Sequence, residues 1–352
     1  MYEPNITTTE KLMNSLNGID DIRDLLGTIP VLPIVEEPIQ RQALVETVYY
    51  TARIEGNPLD IRVAERLRER QAIKPKADSE QEYANLFEVM DFIQHIANQD
   101  DIPIDEKVIK QIHAYIVRDI PSQGSPGVYK TKPNEIRDRT TGARLYLPPS
   151  PNDTPRLMSD LSTWLSQRRL AFHPVITAGV AHLELAAIHP FDDGNGRTAR
   201  ALADLVLYRY GYTFRRLFSW VRQVGIDMDT YHQKLREARG AEYRAPANPT
   251  VWLEYFAESI EKSLVELRPT LHKLSEAFVN AYNVGTKEGL STDQVEALVF
   301  ADIHGSITTA EYMRAKRLSR STVVKRLSEL VQLRLLRVEG KGRSVRYVGS
   351  LK

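Results

Sequence analysis

A twelve-residue segment from His189 to Arg200 combines side chains that could hold phosphates and move a proton. It reads His-Pro-Phe-Asp-Asp-Gly-Asn-Gly-Arg-Thr-Ala-Arg. His189 has a reference pKa of about 6.5, so its imidazole can take a proton from a hydroxyl near neutral pH. Gly194, Asn195 and Gly196 can adopt left-handed conformations that align backbone N–H groups as an anion seat where a helix begins. The segment predicts a phosphate site beside a general base.

Two arginines and a carboxylate extend this site. Arg197 and Arg200 are three residues apart, so on a helix both guanidinium groups lie on one face and can clamp phosphate oxygens. Asp193 would repel phosphates unless a hard cation bridged them, and magnesium suits a single carboxylate because phosphates and water supply its other ligands. We therefore expect a nucleotide bound with magnesium. A second His-Pro pair, His173-Pro174, is not followed by such an Asp, a Gly-Asn-Gly or an arginine pair. We interpret it as structural.

Apolar stretches lie on both sides of this segment. Residues 180–188 and 201–207 have the apolar spacing of buried helices. Pro190 cannot continue a helix, so the first helix is expected to end at His189. The segment is predicted to be a tight loop between two core helices.

The segment resembles the signature of Fic-domain proteins, His-Pro-Phe-x-Asp-Gly-Asn-Gly-Arg-x-x-Arg, at every fixed position. The resemblance extends from about Gly127 to near Tyr231. It implies transfer of AMP from ATP to a Ser, Thr or Tyr hydroxyl of a target protein or of the chain itself. His189 would then be the general base, and Asp193 would hold Mg2+. The residues that the resemblance assigns to nucleotide binding are Gly194, Asn195, Gly196, Arg197 and Arg200.

A second motif lies upstream, where a helix-like stretch from Gln42 to Glu55 stops at Gly56-Asn57-Pro58. A carboxylate in the last helical turn opposes the helix dipole by roughly 0.3–1 kcal/mol, which suggests a compensating cation, although a solvated helix end would also explain it. Residues 51–56 resemble the inhibitory motif (Ser/Thr)-x-x-x-Glu-(Gly/Asn) of many Fic proteins. The resemblance implies that Thr51 and Glu55 form an inhibitory element in which Glu55 pairs with Arg200 and disturbs the γ-phosphate.

Two short β-prone stretches, residues 127–131 and 143–147, flank a turn-rich stretch from Asp138 to Gly142. They predict a β-hairpin whose free edge could align an extended target segment, as the flap of Fic proteins does. A plain surface hairpin is the alternative.

The C-terminal region is basic, although the whole chain carries a formal net charge of only +1. From Ser306 onward, twelve basic side chains face three acidic ones. The pattern is helix, turn, helix and hairpin, which predicts a winged helix. Contact with the DNA major groove is then expected from Arg320, Ser321, Thr322 and Lys325. The alternative is a solvated basic surface that contacts a protein or a second copy of the chain, as in a homodimer.

We expect a mainly α protein with four segments: an N-terminal helical region (1–105), a Fic core with a β-hairpin flap (106–245), a helical linker (246–289) and a winged helix (290–352). Cysteine is absent, which excludes disulfides and thiol nucleophiles. No signal peptide or membrane span is evident, so we expect a cytoplasmic enzyme without a membrane partner. Two alternatives remain: removal of AMP by the same site, and a DNA-binding regulator that senses nucleotide.

Overall fold

The computed structural model describes residues 2–30, 32–69, 75–138, 141–167, 171–244 and 248–349. These residues are mainly helical and include two small antiparallel sheets, which confirms the expected mainly α fold class. No helix among them is long and apolar enough to cross a membrane. The cytoplasmic location stays a prediction.

The elements are numbered here along the chain. The helices are α1 (Glu10–Thr28), α2 (Pro33–Ile54), α3 (Ile61–Glu69), α4 (Asp78–Ala97), α5 (Glu106–Ile116), α6 (Thr154–Gln167), α7 (Pro174–Ile188), α8 (Asn195–Arg209), α9 (Trp220–Ile226), α10 (Met228–Arg239), α11 (Thr250–Glu288), α12 (Thr292–His304), α13 (Thr309–Lys316) and α14 (Arg320–Gln332). The strands are β1 (Ile136–Arg137), β2 (Arg144–Tyr146), β3 (Leu336–Glu339) and β4 (Arg346–Gly349).

The chain divides into two compact units. The first comprises Met1–Asp21 and Ala43–Leu264, and the second comprises Ile22–Gln42 and Val265–Lys352. The finer division into four segments stays a prediction.

The core of the first unit forms around α7 and α8. Every residue of α7 from Val175 to Ile188 is buried, because the helix is apolar on all sides and must be surrounded by other elements. Helices α4 and α5 pack on α8, and α6 packs on α7. Gly179 in α7 leaves room for Leu253 at the start of α11, since a Cβ there would lie 2.7 Å from its Cδ2 atom. The loop between α7 and α8 is therefore held by a rigid core.

The β1–β2 hairpin confirms the expected element but not its first strand. Ile136 pairs with Tyr146 and Arg137 with Arg144. Residues 127–131 are not a strand, because they pack against the loop after α7 and the Lys130 N–H donates to Pro190 O at 2.8 Å. Residues 139 and 140 of the expected turn lie outside the described residues.

The second unit contains the helix, helix and hairpin pattern expected for the C-terminal region. Thr308 and Glu311 form a capping box at the start of α13, and Ser319 caps α14. Strands β3 and β4 pair antiparallel, and Ile307 adds an isolated bridge to Tyr347. The winged-helix assignment itself stays a prediction.

Candidate active site

The loop between α7 and α8 begins at His189, which caps α7 in a left-handed conformation with φ 50° and ψ 58°. The His189 N–H still donates to Leu185 O at 3.0 Å. Two residues later, the Phe191 ring is fully buried and stacks on the His113 imidazole, with ring centroids 3.7 Å apart. The loop therefore leaves the helix sharply and is held in place by an aromatic stack.

The side-chain amide of Asn195 holds this loop by bonding to the backbone of Phe191. Its Oδ1 accepts from Phe191 N at 2.9 Å, and its Nδ2 donates to Phe191 O at 2.9 Å. Asn134 adds donations to the carbonyl oxygens of His189 at 3.2 Å and Phe191 at 3.0 Å. Because the Asn195 amide is used within the loop, a contact with phosphate would come from its backbone N–H.

The His189 imidazole is arranged as a base. Its Nδ1 lies 3.3 Å from Ala186 O, and a carbonyl oxygen can only accept, so Nδ1 carries the proton and Nε2 carries the lone pair. Burial lowers the pKa of His189 to about 4, and the charges of Arg239 and Lys130 act in the same direction. The ring is therefore neutral at physiological pH and able to accept a proton.

The anion seat lies at the N-terminus of α8. Gly194 has a φ of 72°, and a Cβ there would lie 3.1 Å from Val117 Cγ1, so glycine suits both the backbone and the space. Of the three residues expected to be left-handed, only Gly194 is, because Asn195 and Gly196 already belong to α8. A Cβ on Gly196 would overlap Glu55 Oε1, so this carboxylate lies over the first turn of α8. Helix N-termini attract anions, and here the anion is an internal one.

Arg200 holds this carboxylate. Its Nη2 donates to Glu55 Oε1 at 2.7 Å and to Thr51 O at 3.0 Å, and its Nη1 donates to Tyr231 Oη at 3.3 Å. The Arg200 side chain is only 2% exposed, and its Nε atom is buried without a partner among the described residues. Thr51 thus contacts Arg200 through its backbone carbonyl and not through its hydroxyl.

Glu55 directly follows the last residue of α2. Burial alone would raise the pKa of Glu55, but the charges of Arg200 and Arg197 outweigh it and lower the pKa below its usual value. The carboxylate is therefore ionised throughout the physiological range, and the ion pair with Arg200 persists there.

Arg197 is paired in a different way. Its Nη1 donates to Glu82 Oε1 at 3.1 Å and to Gln123 Oε1 at 3.0 Å, and its Nη2 donates to Asp193 Oδ1 at 2.9 Å. Arg197 is 2% exposed, whereas the Asp193 side chain is 51% exposed at the mouth of the site. Asp193 Oδ1 also accepts from Gly194 N.

Several residues of this site could not be found from local sequence patterns. Glu82 lies on α4, 115 residues before Arg197. His113 accepts from Gly127 N at Nδ1, 3.0 Å, and therefore donates from Nε2 to Asp193 O at 3.1 Å. These contacts arise only when distant segments fold together.

A buried lysine supports the same loop. Lys130 donates from Nζ to Ile188 O at 3.2 Å and to Asn134 Oδ1 at 2.8 Å. Burial lowers the pKa of Lys130 to about 8. Its charge lies close enough to His189 to help keep the imidazole neutral.

The residues expected to contact DNA lie on the first turns of α14, in the second unit. Arg320, Ser321 and Lys325 are exposed, and Thr322 is half-buried. Ser319 Oγ lies 2.9 Å from Ser321 Oγ and 2.8 Å from Thr322 Oγ1. The hydroxyl groups are thus engaged at the helix start, while the two cations extend into solvent.

Several known proteins are similar to this chain in sequence. The sequence model of the Fic/DOC family matches residues 103–207. Among curated relatives, protein adenylyltransferase Fic of Aedes aegypti is 32% identical over 199 residues, covering 55% of this chain and 38% of the relative. The protein of the same name from Nematostella vectensis is 30% identical over 205 residues, covering 56% and 45%. The chain spans less than half the length of these relatives.

Solved structures share the fold. A Fic family protein from Desulfovibrio desulfuricans has a TM-score of 0.65 and 22% identity, covering 100% of this chain and 99% of that one. A Fic-domain signalling protein from Bacteroides thetaiotaomicron has a TM-score of 0.61 and 23% identity, covering 79% of this chain and 98% of the other.

Proposed function

This chain contains a Fic domain over residues 103–207, and we propose that it transfers AMP from ATP to a hydroxyl side chain of a target protein. The observation that carries this proposal is the placement of the His189 imidazole, whose Nδ1 faces Ala186 O, on the loop that leads into the anion seat at the N-terminus of α8. The resemblance to curated relatives named protein adenylyltransferase supports AMP as the transferred group.

In this reaction the phosphates of ATP occupy the anion seat, where backbone N–H groups and the guanidinium groups of Arg197 and Arg200 neutralise their charge. His189 Nε2 takes the proton of the target hydroxyl as the hydroxyl oxygen attacks the α-phosphorus. A new P–O bond forms to the target, the bond between the α-phosphorus and the bridging oxygen breaks, and pyrophosphate leaves.

Magnesium fits this arrangement through Asp193. The carboxylate is half-exposed beside the seat, and its Oδ2 accepts no hydrogen bond from the described residues. A single carboxylate suits a magnesium ion that keeps phosphate and water ligands. When bound, the ion would offset charge on the phosphates. No group of three or more acidic or histidine side chains with metal-binding geometry occurs in the described part of the chain, so Asp193 would act with the nucleotide as co-ligand.

Glu55 restrains this activity in our proposal. Its carboxylate lies over Gly196 and pairs with Arg200, so it competes with a phosphate for the same guanidinium group and the same helix end. A misplaced γ-phosphate would turn the α-phosphorus away from the attacking oxygen, and alignment is a large part of catalysis in such transfers. The resting enzyme is therefore autoinhibited.

The β1–β2 hairpin is the proposed docking element for the target. Tyr146 of β2 is fully buried and donates from its hydroxyl to Ala187 O at 3.0 Å. This bond fixes the hairpin beside the end of α7, two residues before His189. An extended segment that pairs with the hairpin would thus bring its Ser, Thr or Tyr hydroxyl near the base. A second copy of this chain could supply that segment, which would give self-modification.

A second function, DNA binding, is proposed for the second unit. Some of its cations form ion pairs with carboxylates, whereas others form none with the described residues. Lys316 Nζ forms an ion pair with Glu296 Oε2 at 2.5 Å, and Arg337 Nη2 forms one with Glu339 Oε1 at 3.1 Å. Arg320 and Lys325 are exposed on α14 and form no ion pair with the described residues. Exposed cations beside a helix N-terminus are suited to DNA phosphates, and an α14 in the major groove would match a winged helix.

The first function is tested with α-labelled ATP, magnesium and lysate, using the wild type, Glu55→Gly and His189→Ala. Label should enter protein with Glu55→Gly and fall by roughly 10²–10⁴-fold when His189→Ala is added, because the base is lost. Intact mass should show added AMP. If Glu55→Gly labels no protein but removes AMP from a modified one, the reverse reaction is the better assignment.

A further inference from the structure

The carboxylate of Glu82 joins three separate parts of the chain. Its Oε1 accepts from Arg197 Nη1 at 3.1 Å and from Gln123 Nε2 at 2.5 Å. Its Oε2 accepts from Asn57 Nδ2 at 2.6 Å. The Glu82 side chain is only 15% exposed, so these bonds form where water competes little. Glu82 therefore connects Arg197, which together with Arg200 we call the anion clamp, to the turn that follows α2.

Hydrogen bonds of Asn57 hold that turn in place. We call it the Glu55 turn (residues 55–58). Its Nδ2 also donates to Ser79 O at 2.9 Å, and its Oδ1 accepts from Leu59 N at 3.0 Å. The Asn57 N–H donates to Ala52 O at 3.1 Å. Every donor atom of Asn57 and its amide oxygen are thus engaged, and the residue is 8% exposed.

Both arginines of the clamp are consequently tied to one turn. Glu55 reaches Arg200 directly, and Asn57 reaches Arg197 through Glu82. While the turn is held, Glu55 can leave the anion seat only by rotating its side chain. If the turn is released, its backbone can move away as well. Two neighbouring attachments to a rigid core reduce the freedom of the turn and so favour the position of Glu55 over the seat.

We infer that Asn57 and Glu82 are positioning residues that hold Glu55 in its inhibitory place, so that the restraint depends on Asn57–Glu82 as well as on Glu55–Arg200. This inference rests on the proposed transfer function. It predicts that the enzyme can be activated without changing Glu55, Arg200 or any residue of the seat. Asn57 touches neither the base nor the seat, so its effect on transfer passes either through the turn to Glu55 or through Glu82 to Arg197. Only the first route needs the Glu55 carboxylate, so the Glu55→Gly background separates the two.

The test measures single-turnover transfer of AMP at saturating ATP for Asn57→Ala, Glu55→Gly and the double variant. Asn57→Ala should raise the rate roughly tenfold, the effect of losing one charge-assisted hydrogen bond from the restrained state. In the Glu55→Gly background it should add nothing, because no carboxylate remains to be held. An equal gain in both backgrounds would overturn the inference.

Asn57→Asp provides a second variant of nearly the same shape. It places a carboxylate against Glu82 and removes the donor to Ser79 O, so it should activate at least as strongly at neutral pH. Tyr83→Phe is the matched control: it removes the bond from Tyr83 Oη to Leu59 O at 2.9 Å, which also joins this part of the chain to α4, but spares Asn57 and Glu82. Equal activation by Tyr83→Phe would contradict a specific role for Asn57.

Hydrogen exchange of the Glu55 and Gly56 amides provides a readout that needs no transfer. These amides bond Ala52 O and Arg53 O and should exchange roughly tenfold faster in Asn57→Ala if the turn is released. Unchanged exchange together with unchanged transfer in folded variants would overturn the inference. If Glu55→Gly transfers no AMP, the proposed function fails, and the exchange rates still decide whether Asn57 holds the turn.

Discussion

Glu55 and Arg200 are 145 residues apart in sequence, and their side chains meet at 2.7 Å beside the N-terminus of α8. The arginine is almost fully buried, whereas the glutamate is 31% exposed. A buried guanidinium group needs an anion, and here an internal carboxylate takes the place that we propose for a nucleotide phosphate. In the proposed function, this pair is the resting state that a bound nucleotide displaces.

Loss of the Glu55 charge should activate the enzyme. We expect both Glu55→Gly and Glu55→Gln to raise single-turnover transfer by at least about tenfold, with a smaller change in ATP affinity, because alignment and not binding is restrained. Glu46→Gln on the same helix, where Glu46 lies 3.9 Å from Arg222, is the control and should leave the rate unchanged. Arg200→Ala should be inactive with or without Glu55. Equal rates for wild type and Glu55→Gln would reduce Glu55 to a helix end.

The pH dependence of transfer should reflect the lowered pKa of His189. Burial, Arg239 and Lys130 bring that pKa to about 4, so the base stays unprotonated well below pH 6.5, and kcat/KM of Glu55→Gly should change little between pH 7 and about 5.5. Arg239→Gln removes one of these causes and should move the acid limb to higher pH. A limb near 6.5 in the parent would contradict a partly buried imidazole that stays neutral.

The same shift has a consequence for stability. Because the folded pKa of His189 is lower than the unfolded value of 6.5, the unfolded chain binds the proton first as pH falls. This residue therefore destabilises the folded state progressively between about pH 6.5 and 4. Rates at acid pH should be compared only where circular dichroism shows a folded protein.

Asp193 should be needed for magnesium-dependent transfer. Asp193→Ala removes the proposed metal ligand and should lower the rate at saturating ATP by roughly 10²-fold. The neighbouring exposed carboxylate provides the comparison, since Asp192→Ala removes the same charge one residue away and should retain most activity. Titration with magnesium at fixed ATP should show a weakened metal dependence only for Asp193→Ala. Equal losses in both variants would indicate a general charge effect.

Asn195 should matter first for stability. Asn195→Ala leaves the buried Phe191 N–H without its acceptor and should cost about 1–3 kcal/mol in the free energy of unfolding. Asn98→Ala, which removes an exposed bond from Asn98 Nδ2 to Gln94 O, should cost less than about 0.5 kcal/mol. Urea unfolding of both variants measures the difference. Similar values would mean that the loop after α7 does not depend on the Asn195 amide.

DNA binding by the second unit should depend on salt and on the exposed cations Arg320 and Lys325. For the full chain, log K should fall against log [salt] by about 0.9 for each phosphate contacted. Replacement of Arg320 and Lys325 by Ala should weaken binding and reduce that slope, whereas Arg337→Ala should change it little because Arg337 already pairs with Glu339. Absence of binding at low salt would favour a protein partner or a second copy of the chain.

The sequence alone predicted the local parts of the site. The signature from His189 to Arg200, the end of α2 before Gly56 and the caps at Thr308 and Ser319 depend on neighbouring residues, so their local structure could be predicted. The first strand of the hairpin could not be predicted in this way. Residues 127–131 have β propensity, but Lys130 pairs with Pro190, and that tertiary contact outweighs the local preference.

The pairing of charged side chains depended most on the tertiary structure. Composition gave twelve basic side chains after Ser306, but only the fold decides which ones are neutralised by nearby carboxylates and which remain available. The same holds at the candidate active site. No local sequence pattern indicated that Glu82 pairs with Arg197 or that the Asn195 amide bonds to Phe191 within the loop. Residue types and spacing determined which chemistry we propose for this chain. The distances between segments far apart in sequence decided the state in which that chemistry is held, because electrostatic and hydrogen-bond energies depend on separation in space.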